Sequence, residues 1–157
     1  MPHVEMRKAT VADAEVIAPR MRRADVIEVH RSAGFLPLEA LVRSLMVSEG
    51  RAHTLVFNGV PSALWGLAVP PELMSNVGVP WLLATDEVTR YPRTVIGLAR
   101  TVVEGWQDEF ATLLQFVDEE NTGALRFLRA LGFAIHPPVI YGAARVPFCP
   151  VVRSRHV

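Results

Sequence analysis

The stretch "VDEENTGALRFLRALGFAI", residues 117–135, packs a strand end, a capped helix, a glycine stop and a new strand into nineteen residues. Leu114, Phe116 and Val117 make an apolar strand that stops at the acidic residues Asp118, Glu119 and Glu120, as a strand does where it meets solvent. Asn121 is a good N-cap, because its side chain accepts from the free amides of a first helical turn. Ala124, Leu125, Phe127, Leu128 and Leu131 then recur at three- and four-residue spacing, with Arg126 and Arg129 between them, which describes an amphipathic helix with Ala124, Phe127, Leu128 and Leu131 inward. Gly132 suits the left-handed residue that ends it.

Upstream of this unit, Pro92 opens a long helix whose inward face reads as Val95, Ala99, Val102, Trp106 and Phe110. "VPWLLATDEV", 79–88, precedes that helix as a strand and "TLLQFVD", 112–118, follows it as another. A strand, a helix and a second apolar strand predict a parallel, right-handed crossover. Earlier still, "HTLVFNGVPSALWGLAV" holds two apolar runs joined by Asn58-Gly59, a strong hairpin signal because both residues accept positive φ. Pro70, Pro71, Asn76 and Gly78 read as the turn after that hairpin.

The first fifty residues alternate over 4–9 as a strand, then Thr10 caps a helix that Pro19 breaks. Gly34 stops a second helix and Gly50 a third. At the far end, Pro137, Pro138, Pro147 and Pro150 predict edge strands or extended segments, and the basic "VVRSRHV" predicts a frayed tail.

Length and composition bound the rest. A chain of 157 residues that is 50% hydrophobic is long enough for a core and short enough for one domain, 1–157. Sixteen acids balance sixteen bases, so no excess charge draws the protein to nucleic acid or to an anionic membrane. A lone cysteine, Cys149, cannot staple the fold, and no apolar stretch reads as a signal or a span, so a soluble, intracellular protein is expected. Glu28 and His30 lie two apart and point to different faces of a helix; the other histidines have no ligand spacing, so no metal site is expected. Trp65, Trp81 and Trp106 fit strand and helix patterns as core residues.

The element order, strand and helices, an antiparallel meander, then β-α-β-α-β, resembles the GNAT superfamily of N-acetyltransferases. "MRKATVADAEVI" is similar to the family's first strand and helix, and "NTGALRFLRALGFAI" to its last helix. "PWLLATDEV" followed by a proline-opened helix resembles a narrower group, the small GNAT-like virion-associated proteins of short-tailed phages. The resemblance implies an α/β (α+β) fold with a mixed central sheet, helices on both faces, and strands splayed near "WLLATDEV" and "TLLQFVD".

It also implies where acetyl-CoA would sit. The family's glycine-rich turn corresponds here to Thr89, Arg90, Tyr91, Pro92, Arg93 and Thr94, which contains no glycine, and Pro92 has no amide to donate. Arg90, Arg93 and Thr94, with Asn121, are the candidate cofactor-binding residues. The strand-four carboxylate used as base corresponds to Asp86 or Glu87, one of which alternation turns toward a cleft. Leu128 stands where a proton-donating tyrosine is expected. From these departures the resemblance implies a catalytically degenerate virion or assembly protein, partnered by other phage proteins or by itself, in the host cytoplasm and the virion. The alternative is an acetyl-CoA-dependent N-acetyltransferase acting on a small amine or a protein amino group.

Overall fold

The structure is a computed structural model that describes residues 2–71 and 76–155. In chain order its elements are β1 (Val4–Lys8), α1 (Val11–Ile17), a 3-10 turn (Ala18–Arg20), α2 (Arg23–Ala33), α3 (Pro37–Ser48), β2 (Ala52–Phe57), β3 (Val60–Ala68) and β4 (Val77–Ala84). A second 3-10 turn (Asp86–Arg90) leads to α4 (Pro92–Glu109), β5 (Thr112–Asp118), α5 (Thr122–Ala130), β6 (Ala134–Ile135), β7 (Val139–Tyr141) and β8 (Val146–Ser154).

Local chemistry explains most of these boundaries. Thr10 and Asp13 form a reciprocal capping box at α1, and Pro19 sits in the 3-10 turn that ends it. Asn58 and Gly59 both take positive φ, 50° and 81°, and close the β2–β3 hairpin in two residues. Asn121 caps α5 by accepting from the Ala124 amide.

The sheet runs β1-β2-β3-β4-β5-β8-β6, with β7 also on β8, and β4–β5 is its one parallel pairing among the described residues. Alternation along β3 sends Leu64 to one face and Trp65 to the other. Ala14 and Ile17 of α1, Met21 of the linker after it, and Ala40 and Leu41 of α3 pack with Leu64 and Leu83, and Val26 and Val29 of α2 add to the edge of this cluster. Val95, Ala99, Val103, Leu131 and Phe133 pack with Trp65, Leu67 and Leu113 on the opposite face. Helices therefore cover both faces of a mixed sheet.

Several expectations are corrected. β4 ends at Ala84, and Asp86 and Glu87 lie in a 3-10 turn, because Thr85 caps the Glu87 amide and turns the chain off the sheet. Gly78 belongs to β4, not to a turn; a Cβ there would come within 2.9 Å of Leu67. The buried side chains of α4 fall at four-residue steps, Val95, Ala99, Val103 and Gln107, while Val102 and Trp106 are half-buried; Phe110, the capping residue, is buried. On α5 no side chain is fully buried; Ala124, Phe127 and Leu128 are half-buried and only Leu131, the capping residue, is enclosed.

Far from fraying, the C-terminal segment is an interior strand. β8 pairs with β5 on one side and with β6 and β7 on the other. Its prolines are tolerated because a residue's N and C=O point to the same side of a strand. The Pro150 carbonyl accepts from His136, so its missing N–H falls in the gap between β6 and β7; the Pro147 carbonyl accepts from Glu119, just past the end of β5. Arg153 is tied to the Leu131 carbonyl (3.0 Å) and to Gln107 Oε1 (2.9 Å). His156 and Val157 lie outside the described residues.

Candidate active site

β4 and β5 pair only at Val77–Thr112 and Gly78–Leu113, then diverge. Gln115 closes the apex of the V: its side-chain amide donates to the Pro80 carbonyl (2.9 Å) and accepts from the Phe116 amide (2.8 Å), extending the ladder across a gap the main chains no longer span. Helix α2 braces the open end. Asp25 Oδ2 accepts from Ala84 N of β4 (3.1 Å), and one helical turn on, Glu28 Oε1 accepts from Asp118 N of β5 (2.9 Å). Between apex and brace, the N–H and C=O of Leu82 face the opening, since Pro80 and Ala84, two residues to either side, turn theirs that way. A cavity of about 880 Å³ occupies the splay and reaches both faces of the sheet.

Asn121 joins the parts. While its Oδ1 caps α5, its Nδ2 donates to Asp25 Oδ1 (3.4 Å) and Glu28 Oε1 (3.3 Å). Arg22 also meets Asp25 Oδ1, at 3.2 Å, and Arg31 pairs with buried Asp118 at 3.1 Å and with Glu120 at 2.9 Å. Burial raises the Asp25 carboxyl, opposed by Arg22 and by the Ala84 amide. Burial pushes Glu28 up to about 7, with the charges of Asp25 and Asp118 adding to the rise. Glu28 borders the cavity and its Oε2 makes no hydrogen bond among the described residues, so the group combines an open oxygen with a pKa suited to general base catalysis.

The structure scatters most of the sequence-predicted site residues. Asp86 is exposed, Glu87 is half-buried and 3.7 Å from Arg90, and neither borders the cavity. The alternation that would have aimed one of them at a cleft does not operate in a 3-10 turn. Arg90 and Arg93 are exposed and Thr94 half-buried at the start of α4, outside the cavity wall, whereas Thr89 and Pro92 border it. Asn121 and Leu128 do line it.

Asp25 and Glu28 were missed as site residues. The available signal was their place in the stripe Met21, Asp25, Glu28, Ser32, where acids occupy helix positions that should face the sheet.

The glycine-free turn is less damaging than its sequence implies. Pro92 occupies the first turn, where its missing N–H is one that has no helical partner in any case. The Arg93 and Thr94 amides, at the N-terminus of an 18-residue helix, find no acceptor among the described residues. Trp65, a buried wall residue at 3% exposure, also has an indole N–H without an acceptor among the described residues.

No protein-family model matches the chain, and no curated protein matches it in sequence. Solved structures do match in fold. Aminoglycoside acetyltransferase AAC(6')-Ib, crystallised with coenzyme A and kanamycin, superposes with a TM-score of 0.68 at 18% identity over 98% of this chain and 95% of that one. A GNAT-family acetyltransferase of Bacillus anthracis gives 0.72 at 8% identity over 99% of each chain. The protein yncA of Salmonella typhimurium, solved with its cofactor acetyl-CoA, gives 0.69 at 12% identity over 99% of this chain and 95% of that one. At such identities the likeness is one of fold, and that fold is the GNAT acetyltransferase fold.

Proposed function

We propose that the protein is an acetyl-CoA-dependent N-acetyltransferase that uses Glu28 as its general base. The observation carrying this reading is the open carboxylate oxygen of Glu28, with its pKa near 7, on the wall of the cavity between splayed β4 and β5.

The residues present fit an acetyl-CoA ligand. Leu82 offers an amide-bearing arm an N–H and C=O that no strand among the described residues pairs, and the first-turn amides of Arg93 and Thr94, aided by the α4 dipole and the Arg90 and Arg93 side chains, suit a pyrophosphate. When bound, acetyl-CoA supplies an acyl carbon to which the acceptor nitrogen bonds as the carbon–sulfur bond breaks, the electron pair leaving with sulfur. Glu28 Oε2 removes the proton that an acceptor ammonium must shed before its nitrogen can attack. Asn121 and the Asp118 amide hold Glu28 Oε1, which aims the free oxygen into the cavity. Leu128 cannot protonate a leaving thiolate, but a thiol's ordinary pKa is about 8.5, so this loss slows the reaction without abolishing it.

The virion or assembly role rested on the resemblance of "PWLLATDEV" and its proline-opened helix to phage virion-associated proteins, on the missing glycines and on Leu128. The braced cavity and the perturbed carboxylate have no use in such a role, which makes transfer the better reading. The test is thiol release from acetyl-CoA in the presence of primary amines, paired with calorimetric titration of coenzyme A. Binding of coenzyme A to both the parent and Glu28→Gln, with turnover only in the parent, is expected. Absence of coenzyme A binding, or turnover undiminished in Glu28→Gln, overturns the reading.

A further inference from the structure

The two halves of the cavity differ in chemistry. On the α4 side its wall is apolar and carries no acid among the described residues, mixing aliphatic Val95, Ala99 and Val102 with the rings of Trp65, Trp106 and Phe127. On the α2 side it combines Glu28 with the aromatic residues Phe35, Trp81, Phe116 and Tyr141, the last three of them held as fixed faces. We propose that the acceptor is a monoamine with an aromatic or flat apolar body, its ammonium at Glu28 and its ring in the half bounded by Trp81, Phe116 and Tyr141. The proposal rests on the acetyl-transfer reading.

The aromatic walls are held in place. Trp81 donates its indole N–H to Ser48 Oγ at 2.7 Å, and its ring lies over Gly66, where a Cβ would come within 2.8 Å of it. Tyr141 stacks on Phe116 with ring centres 4.3 Å apart and planes 4° from parallel. The hairpin that follows Tyr141 is pinned to the end of α2, because the Ala143 and Ala144 amides donate to the carbonyls of Ser32 and Arg31 at 3.0 and 2.9 Å. Gly142, with φ of 80°, permits this contact, since a Cβ would meet Ser32 Cα at 2.8 Å. Fixed aromatic faces lose little freedom when a ring docks on them, and they favour a nearby ammonium.

Charge decides between one ammonium and several. Asp25 and Glu28 are the acidic residues on the wall among those described, and both Asp25 oxygens are already engaged, by Arg22 and Asn121 on one side and by the Ala84 amide on the other. Only Glu28 has an oxygen to spare. Arg22, Arg43 and Arg126 also border the cavity, so a second cationic centre on the ligand meets like charge. A polycation such as kanamycin, which occupies the fold relative AAC(6')-Ib, is therefore a poor fit for this wall.

Calorimetric titration of the purified chain at neutral pH, without acetyl-CoA, compares phenethylamine, propylamine and spermidine. Phenethylamine should bind about 10-fold more tightly than either of the others, the effect of a ring against an aromatic wall. Trp81→Ala should cost about the same factor for phenethylamine and leave propylamine unchanged, and Trp81→Phe should recover most of the loss. A thermal melt of each variant confirms that it is folded. Equal or tighter binding of spermidine, no binding of phenethylamine, or indifference to Trp81→Ala in a folded variant overturns the proposal. Ring-dependent binding without any acetyl transfer to phenethylamine would sink the transfer reading and leave this pocket standing; efficient acetylation of spermidine in preference to phenethylamine would do the reverse.

Discussion

Two corners of the molecule each bury a carboxylate on a helix against the sheet, and they treat it in opposite ways. At the β1–α1 corner Asp13 takes two hydrogen bonds from Arg7 (2.7 and 2.8 Å), one from the Thr54 hydroxyl (2.7 Å) and one from the Thr10 amide (3.1 Å). Burial alone would raise its pKa, but these partners together hold it at about 2. At the α2 corner Glu28 has two donors on one oxygen and, among the described residues, none on the other and no cation partner, and burial carries it to about 7. The difference lies in how many donors surround each group. A carboxylate whose lone pairs are all used stays ionised and holds structure, whereas one left half-satisfied beside a cavity is free to exchange a proton.

The largest effect that could break this contrast is on turnover. Glu28→Gln should lower kcat/KM by roughly 10²- to 10⁴-fold, the usual cost of a lost base, while Glu87→Gln should leave it within about 2-fold. A Glu28 variant as fast as the parent would make the two corners equivalent.

Stability should respond in the other direction. Asp13→Ala removes a capping box and orphans the Thr54 hydroxyl, which should cost about 2–4 kcal/mol in urea unfolding; an unchanged midpoint would show that the corner contributes nothing. Glu28→Gln should not destabilise the protein above neutral pH.

The pH dependence sharpens the same point. Asp13 sits below its ordinary value of 3.8, so its contribution is present above that value and is lost as pH falls through about 2. Glu28 sits above its ordinary 4.5, so its contribution is full below that value and is lost as pH rises through about 7, where the rate of transfer should climb as the base ionises. Melting temperature against pH should lose its acid limb in Asp13→Asn and its neutral limb in Glu28→Gln. Limbs that persist in both variants would assign the titrations to other groups.

The smallest effect expected is at Phe127. Because the ring is half-buried on the cavity wall, Phe127→Ala should cost about 1–2 kcal/mol, less than the loss at an enclosed core position. A loss of 3 kcal/mol or more, within the range for enclosed rings, would mean that the α5 face closes over it in solution.

Local signals in the sequence were sufficient wherever structure depends on neighbours along the chain. Thr10 and Asp13, Asn58-Gly59, Asn121 and Gly132 each act within a few residues of themselves, and each stands where its chemistry requires. Patterning also carried the individual strands and helices and the parallel β4–α4–β5 crossover, since strand and helix periods survive without knowledge of partners, while the mixed sheet with helices on both faces was what the family resemblance implied. It failed where a position's environment comes from distant segments. Pro147 and Pro150 read as edge residues because nothing nearby shows that one missing amide falls past the end of β5 and the other in the gap between β6 and β7. Trp81 and Trp106 read as core because periodicity identifies an inward face but not a cavity behind it.

The candidate site divides along the same line. The sequence alone determined that Asn121 caps a helix at the end of β5 and that β4, α4 and β5 form a parallel crossover; that the two strands splay apart was implied by the family resemblance. Only tertiary structure decided that Asn121 also reaches Asp25 and Glu28, more than ninety residues earlier in the chain, and that Asp86 and Glu87 turn away from the cavity. A capping bond is made between groups already neighbours in sequence, while the pKa of Glu28 is set by water excluded and charges gathered from α2, β5 and α5, which come together only when the chain folds.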